Sequence, residues 1–287
     1  VTSALSSCEK SSHHEGHETH EGGQESKTVA HETILYTKEN GIATITLNRP
    51  QALNAFVPQM NKEVLEVLKE GERDKEVRCF VITGAGRAFS AGQDLKGRTP
   101  DQKGSLGDSL REKYNPMIRQ IRQMEKIVIA AVNGVAAGAG CNLALACDLR
   151  VASEEAKFIQ SFVRVGLAPD SGGSFILPRL VGLSKAMELL LLGETVDARE
   201  AQRIGLVAKV FPAAEFAVST QEIAGRVARA PRGIGLIKRA LNHAILPDIE
   251  SDLEYESLLQ EIAGRSTDYD EGVRAFLEKR PPVFTGK

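Results

Sequence analysis

Two glycine-bearing turns carry the chemistry this sequence can offer: Arg87-Ala-Phe-Ser-Ala-Gly-Gln-Asp-Leu95 and Asn133-Gly-Val-Ala-Ala-Gly-Ala-Gly-Cys141. Each follows a β-like apolar run, Cys79–Thr83 before the first and Ile127–Val132 before the second. Glycine permits tight turns and close approach of a ligand to the main chain. Two such turns can aim a pair of backbone N–H donors at one oxygen, the arrangement of an oxyanion hole. An enzyme acting on acyl groups is therefore the first expectation. Five of the six histidines fall within the first 31 residues, leaving His243 alone in a helix-like stretch, where a structural role fits best. Proton transfer then has to fall to carboxylates.

The elements that must position these turns follow from hydrophobic periodicity. Ile34–Tyr36 and Ile42–Leu47 alternate as a hairpin around Glu39-Asn-Gly41, and Pro50 ends that segment. Helical periodicity is expected over Val57–Glu70 and from about Leu110 to Met124, with the polar stretch 96–108 as a mobile loop between them. The second glycine turn opens a small-residue helix, Gly140–Ala146, and Leu149–Ala152 is a further strand. From Ser184 onward the pattern is helical: Ala186–Leu192, Ala198–Ile204, Ala214–Ala230, Gly233–Ala244 and Ile249–Ala263. An α/β core followed by a helical carboxy-terminal region is the expected organisation.

Composition narrows the function. A formal net charge of −2, from 36 Lys and Arg against 38 Asp and Glu, offers no basic field for nucleic acid. The helix-like 61–75 segment mixes acidic and basic residues, so no comb of lysines faces an RNA. Cys8, Cys79, Cys141 and Cys147 form no CxxC pair, and reduced thiols in a cytoplasmic setting are expected. The uncharged Ile127–Cys147 run is broken by Asn133-Gly134, so no membrane span is expected. Residues 1–30 lack the apolar side chains for a core and read as a disordered tail; their histidines lack a scaffold to fix a metal, and no metal site is expected. Gly84-Ala-Gly86 imitates a dinucleotide fingerprint, but another turn follows it where a helix should open.

From about Ile34 to Lys287 the chain resembles the enoyl-CoA hydratase/isomerase (crotonase) family. The resemblance rests on an ordered series: Leu47-Asn-Arg-Pro-Gln-Ala-Leu-Asn54, Phe89-Ser-Ala-Gly-Gln-Asp-Leu95, Asn133-Gly134 with Ala137-Gly-Ala-Gly140, Gly166-Leu-Ala-Pro-Asp-Ser-Gly-Gly173, Leu177-Pro-Arg-Leu-Val-Gly182 and Ala275-Phe-Leu-Glu-Lys-Arg280. It implies a crotonase-type ββα spiral over 31–200 that binds an acyl-CoA thioester, and a helical trimerisation region over 201–287. A homotrimer or a dimer of trimers follows, with no cofactor beyond the CoA of the substrate.

The resemblance also assigns residues. The oxyanion donors would be the N–H groups of Gln93 and Ala139, the latter beside the positive end of the helix it precedes. Hydratases of this family use two glutamates, and here those positions hold Asn142 and Phe162. Neither side chain exchanges a proton near neutral pH, so two-carboxylate hydration is disfavoured. Asp170 remains, at a position where isomerase branches place a single acid, and the match is closest to the ring-1,2-epoxyphenylacetyl-CoA isomerase type. One carboxylate suffices for a 1,3-proton shift, and an apolar wall such as Phe162 would raise its pKa. A turn aspartate bonding its own backbone is the competing reading of Pro-Asp-Ser-Gly. Asp94 reads as a helix N-cap rather than a catalyst. The substrate contacts implied are Arg49, Ala52, Leu53, Ser90, Ala91, Asp94, Asn142 and Phe162, with Phe276 and Lys279 supplied by an adjacent subunit. Enoyl-CoA hydration is the alternative activity, within fatty-acid or aromatic catabolism; thioester hydrolysis, dehalogenation and a non-catalytic scaffold also stay open.

Overall fold

The computed structural model describes residues 29–96, 105–244 and 249–287. The expected disordered tail, apart from its last two residues, and the centre of the expected 96–108 loop lie outside them. Eleven strands appear in chain order: β1 Val29–Ala30, β2 Ile34–Glu39, β3 Ile42–Leu47, β4 Cys79–Gly84, β5 Ala88–Ser90, β6 Ile127–Val132, β7 Val135–Ala137, β8 Leu149–Ser153, β9 Lys157–Ile159, β10 Thr195–Asp197 and β11 Lys209–Phe211. They form a seven-stranded sheet, β1-β2-β3-β4-β6-β8-β11, and a four-stranded sheet, β10-β9-β7-β5. The β2–β3 hairpin is antiparallel, and from β3 onward the large sheet is parallel.

Each turn of the chain thus lays a long strand in the large sheet and a short one in the small sheet, then adds a helical segment. Strands β4/β5, β6/β7 and β8/β9 repeat this in succession, which is the ββα spiral. The central strands read as unbroken apolar runs because both their faces are covered. On one face Val81, Ile129 and Ala131 meet Phe216, Ala224 and Ala228 of the helix Phe216–Ala228. On the other, Phe80, Ile82 and Val128 join the main core with Met60, Val64 and Leu68 of the helix Pro58–Arg73.

Several boundaries differ from expectation. The sheet takes its last strand from Lys209–Phe211, so the core runs past residue 200. Strands of three residues are too short to show a period, which hid β5, β7, β9, β10 and β11 in the sequence. Leu106–Ser109 is a helical turn capped by the Ser105 side chain, although 96–108 reads as loop. A widened π-turn, Leu110–Tyr114, follows it and passes into the helix Asn115–Gln123. Pro116 explains the widening: it has no N–H to give the preceding turn, and Asn115 N–H reaches back to Leu110 O instead. The helix Gly173–Val181 was masked by Gly172, Gly173 and an internal Pro178.

Candidate active site

The segment 53–56 laces the first glycine turn in place. Ala91 N–H donates to Leu53 O at 2.9 Å, Phe56 N–H to Gly92 O at 2.7 Å, and Asp94 N–H to Phe56 O at 3.0 Å. Ser90, wholly buried, donates its hydroxyl to Asn54 O at 2.8 Å. Phe56 therefore bonds to the residues on both sides of Gln93 and leaves the Gln93 N–H aimed away from it. The second turn is held by Gly138 N–H donating to Ile159 O at 2.9 Å, and Ala139 is the first residue of the helix Ala139–Ala146. The opening N–H groups of a helix have no partner within it. Among the described residues no hydrogen bond engages the N–H of Gln93 or of Ala139.

Glycine is required where the turns meet. A Cβ on Gly92 would stand 2.7 Å from Ala137 O and 3.4 Å from Ala139 N, and one on Gly140 2.5 Å from Ser90 O. Gly138, at φ +50°, also occupies backbone space that side chains disfavour. The two turns thus touch main chain to main chain, with Gln93 and Ala139 on either side of the contact.

Asp170 stands on a loop built by two successive left-handed residues, Ser171 at φ +50° and Gly172 at φ +81°. One of its carboxylate oxygens, Oδ1, is buried without a hydrogen-bond partner. Burial pushes the carboxyl above its ordinary range, and the neighbouring Ser171 hydroxyl opposes only part of that rise. Ser171 Oγ is itself buried without a formed hydrogen bond. The loop is tied to the second turn's helix by Asn142, whose Nδ2 donates to Asp170 O at 2.8 Å while its Oδ1 accepts from Gln160 Nε2 at 2.9 Å. Gly173 admits this contact, since a Cβ there would lie 2.3 Å from Asn142 Nδ2.

Asn142 needs correction as a substrate contact: it is 0% exposed and both ends of its amide hold protein groups. It fixes the Asp170 loop. Phe162, buried in the 3-10 turn Ser161–Val165, lies near the second turn, 3.9 Å from where a Gly138 Cβ would be. Asp94 is no N-cap, because Leu95 is not helical; it accepts from Lys96 N–H and pairs with Arg49 at 2.9 Å. These contacts, the Lys96 N–H first, hold its carboxyl below the usual range. Arg49 also donates to Ala55 O at 2.6 Å, so its guanidinium braces the turn. Ala52, Leu53, Ala91, Gln93 and Asp94 form a half-exposed strip along this edge, whereas Ser90 lies fully beneath it. Lys279 follows the helix Thr267–Glu278 with an exposed side chain, and no hydrogen bond or ion pair joins it to the turns. The Phe276 side chain is outside the described residues. His243 stacks on Tyr255 with ring centroids 4.1 Å apart.

Sequence reasoning gave no role to two amides that the structure makes central. Asn54, buried at φ +56°, accepts from Arg49 N–H and donates to Ala85 O and Ala88 O. Asn133 accepts from Gly84 N–H at 3.1 Å and donates to Gly86 O at 2.9 Å. Both lay in quoted motifs; an asparagine beside a glycine turn was the available signal. Cys79, Cys141 and Cys147 are buried free thiols, each pushed up to about 12 chiefly by burial, and take no part. Among the described residues no cluster of His, Cys, Asp and Glu could hold a metal ion, and no helix is long and apolar enough to cross a membrane.

The fold agrees with comparisons to known proteins. The chain is 46% identical over 260 residues to 1,2-epoxyphenylacetyl-CoA isomerase of Escherichia coli strain K12, covering 89% of this chain and 99% of that protein. It is 39% identical to the short-chain-enoyl-CoA hydratase of Clostridium acetobutylicum, covering 86% of this chain and 95% of that one. Among solved structures, an enoyl-CoA hydratase from Polaromonas sp. JS666 superposes with a TM-score of 0.82 at 36% identity, covering 88% of this chain and 99% of that one. A family model described as enoyl-CoA hydratase/isomerase matches residues 37–287. With that match spanning nearly all of the folded chain, the protein belongs to the enoyl-CoA hydratase/isomerase family.

Proposed function

We propose that the protein is an acyl-CoA isomerase in which Asp170 is the single acid/base and the N–H groups of Gln93 and Ala139 hold the thioester oxygen. The observation that carries this reading is the buried, unpartnered Asp170 Oδ1 on a loop tied to the helix that Ala139 opens. With a 3-enoyl-CoA, the carboxylate takes a proton from carbon 2, and the electron pair spreads over a dienolate whose oxygen is held by the two amides. The same carboxyl then returns the proton at carbon 4, leaving the 2-enoyl product. Each amide donor contributes about 3 kcal/mol to such a transition state. Burial suits Asp170 to this work, because a carboxylate with a raised pKa is a better base and a readier donor. The Escherichia coli relative's name extends the reading to rearrangement of an epoxide through a similar enolate.

Hydration is the weaker reading, since Asn142 and Phe162 stand where a second carboxylate would be needed. Exposed Ile237, Leu241 and Leu277 on the carboxy-terminal helices support self-association into trimers, in which Phe276 and Lys279 would meet a neighbour's CoA. No cofactor beyond that CoA is part of the proposal. Comparing isomerisation of a 3-enoyl-CoA with hydration of crotonyl-CoA tests it: isomerisation should dominate and Asp170→Asn should abolish it. Dominant hydration, or full isomerisation by that variant, would overturn it.

A further inference from the structure

Two polar atoms buried without a partner stand side by side in the chain, Asp170 Oδ1 and Ser171 Oγ. Ser171 is 3% exposed, whereas Asp170 is half-buried, so Oδ1 is the enclosed oxygen of a residue that still reaches the surface. Burying a polar atom without a hydrogen bond is costly, and one bond between these two would relieve both. They are not bonded in this arrangement; rotation about single bonds in two short neighbouring side chains is what would join them. The main chain beneath them lacks that freedom, because Asp170 O accepts from Gly173 N–H and from Asn142 Nδ2, each at 2.8 Å.

Neither amide beside the loop can take the hydroxyl's place. Asn142 commits both ends of its amide to Asp170 O and Gln160, and Gln160 Nε2 is committed to Asn142 Oδ1. The helices packed on Gly172 are apolar there: a Cβ on it would lie 3.3 Å from Ile176 Cδ1 and 3.7 Å from Ile118 Cγ2. Burial and the Ser171 hydroxyl are the two influences that move the Asp170 carboxyl from its ordinary range, with no charged side chain among them. Ser171 also holds φ +50°, a left-handed conformation uncommon for serine that glycine adopts without strain. Strain kept at a buried polar residue beside a reacting group points to a use for its side chain.

We infer that Ser171 is a positioning residue for Asp170, its hydroxyl donating to the enclosed Oδ1 so that Oδ2 alone takes and returns the substrate proton. This rests on the acid/base reading above and adds how one carboxyl is held for both halves of the reaction. A hydroxyl is a donor that turns about its own C–O bond, so it follows the carboxyl without giving up its proton. Its bond to Oδ1 is strong while the group is an ionised carboxylate and weaker once Oδ2 carries the proton, because a charged acceptor strengthens a hydrogen bond. Ser171 therefore favours the ionised base, against the burial that disfavours it.

The ionisation of Asp170 can be read without turnover. In an infrared titration, the protonated-carboxyl band that Asp170→Asn removes belongs to Asp170. Its midpoint should move up by about one pH unit in Ser171→Ala, a tenfold change in proton affinity for one lost bond to a charged acceptor. With a 3-enoyl-CoA, activity of that variant should fall about tenfold on the acid limb of the pH profile and approach the wild type at high pH, the loss sitting in kcat rather than KM. Ser171→Gly takes the left-handed φ freely and should show the same shift, which keeps the test open should Ser171→Ala fail to fold. An unmoved midpoint overturns the positioning role, and any loss of activity would then be equal at every pH, as a packing defect gives. A midpoint that moves while Asp170→Asn still isomerises fully would instead strike the acid/base reading and leave the pairing of Ser171 with Asp170 standing.

Discussion

The two glycine turns and the carboxy-terminal helices are held by opposite means. Around the turns, position is set by main chain: Leu53, Phe56, Ile159 and Asp170 offer backbone groups, and the side-chain amides of Asn54, Asn133 and Asn142 bridge them. The helix Gly233–His243 is fastened instead by charge. Lys238 Nζ, almost fully buried, pairs with Asp148 at 2.8 Å and donates to Ile121 O at 2.7 Å. Beyond that anchor the helical region shows apolar residues to the outside, with Leu277 73% and Leu241 66% exposed. The difference teaches where each region's information lies. A site that aims peptide N–H groups depends on backbone placement, which side-chain exchange alters only through packing. A helical region with unpartnered apolar faces depends on side chains, including those of another surface.

The sharpest way to separate the regions is Asp170→Asn. Turnover of a 3-enoyl-CoA should fall about 10³-fold, the usual weight of a positioned acid/base. Thermal stability should hold or rise at neutral pH, because burial disfavours the charge that the variant removes. The sign follows from linkage: the folded state holds its proton to higher pH than the unfolded chain, so wild-type stability falls as pH climbs through that window. At pH below the ordinary carboxylate range the two proteins should converge, and melting curves across pH measure this. In activity, kcat/KM should rise with pH through the elevated pKa of Asp170, since the base must be ionised.

Lys238→Met should do the reverse, costing about 3 kcal/mol of stability, because buried Asp148 would keep only the Val128 N–H and the more distant Arg122 at 4.0 Å. Burial already works against both charges of this pair. Denaturant titration reads the loss, and adding Asp148→Asn should recover most of it. No recovery would mean that the lysine matters for packing rather than for charge.

Asn142→Ala blurs the contrast usefully, since this amide is structural yet adjoins the carboxylate. It should cost about 1–3 kcal/mol through the unpaired Asp170 O and Gln160 side chain, and should lower kcat more than it raises KM. A pure KM effect would make Asn142 a substrate contact after all. Smallest on folding is Leu277→Asp, an exposed change expected to stay within about 0.5 kcal/mol for the isolated chain. Its effect should appear as dissociation in sedimentation velocity; unchanged mass would show that this face is not an association surface.

Much of the frame could be read from local pattern. The runs Cys79–Thr83 and Ile127–Val132 became β4 and β6, and the Asn40-Gly41 turn joined β2 to β3, because burial on both sheet faces and left-handed turn residues leave short-range marks. The scarcity of histidine and the replacement of two family carboxylates were likewise visible before any coordinates. Pairings across the chain were not. From the sequence Asn142 reads equally as a substrate contact or a structural amide; its partners, Gln160 and Asp170 O, lie 18 and 28 residues away, beyond any local pattern.

What the sequence by itself determined is the longer strands, β2, β3, β4, β6 and β8, and the two turns that need glycine. These follow from neighbours a few residues apart, where periodicity and φ preferences act. Only the tertiary structure decided that Asn142 ties down the Asp170 loop, and that Asp170 Oδ1 and Ser171 Oγ are buried without a partner. Burial and hydrogen-bond satisfaction belong to surfaces assembled from distant segments, and no local pattern encodes which polar atom will be left unpaired when they close.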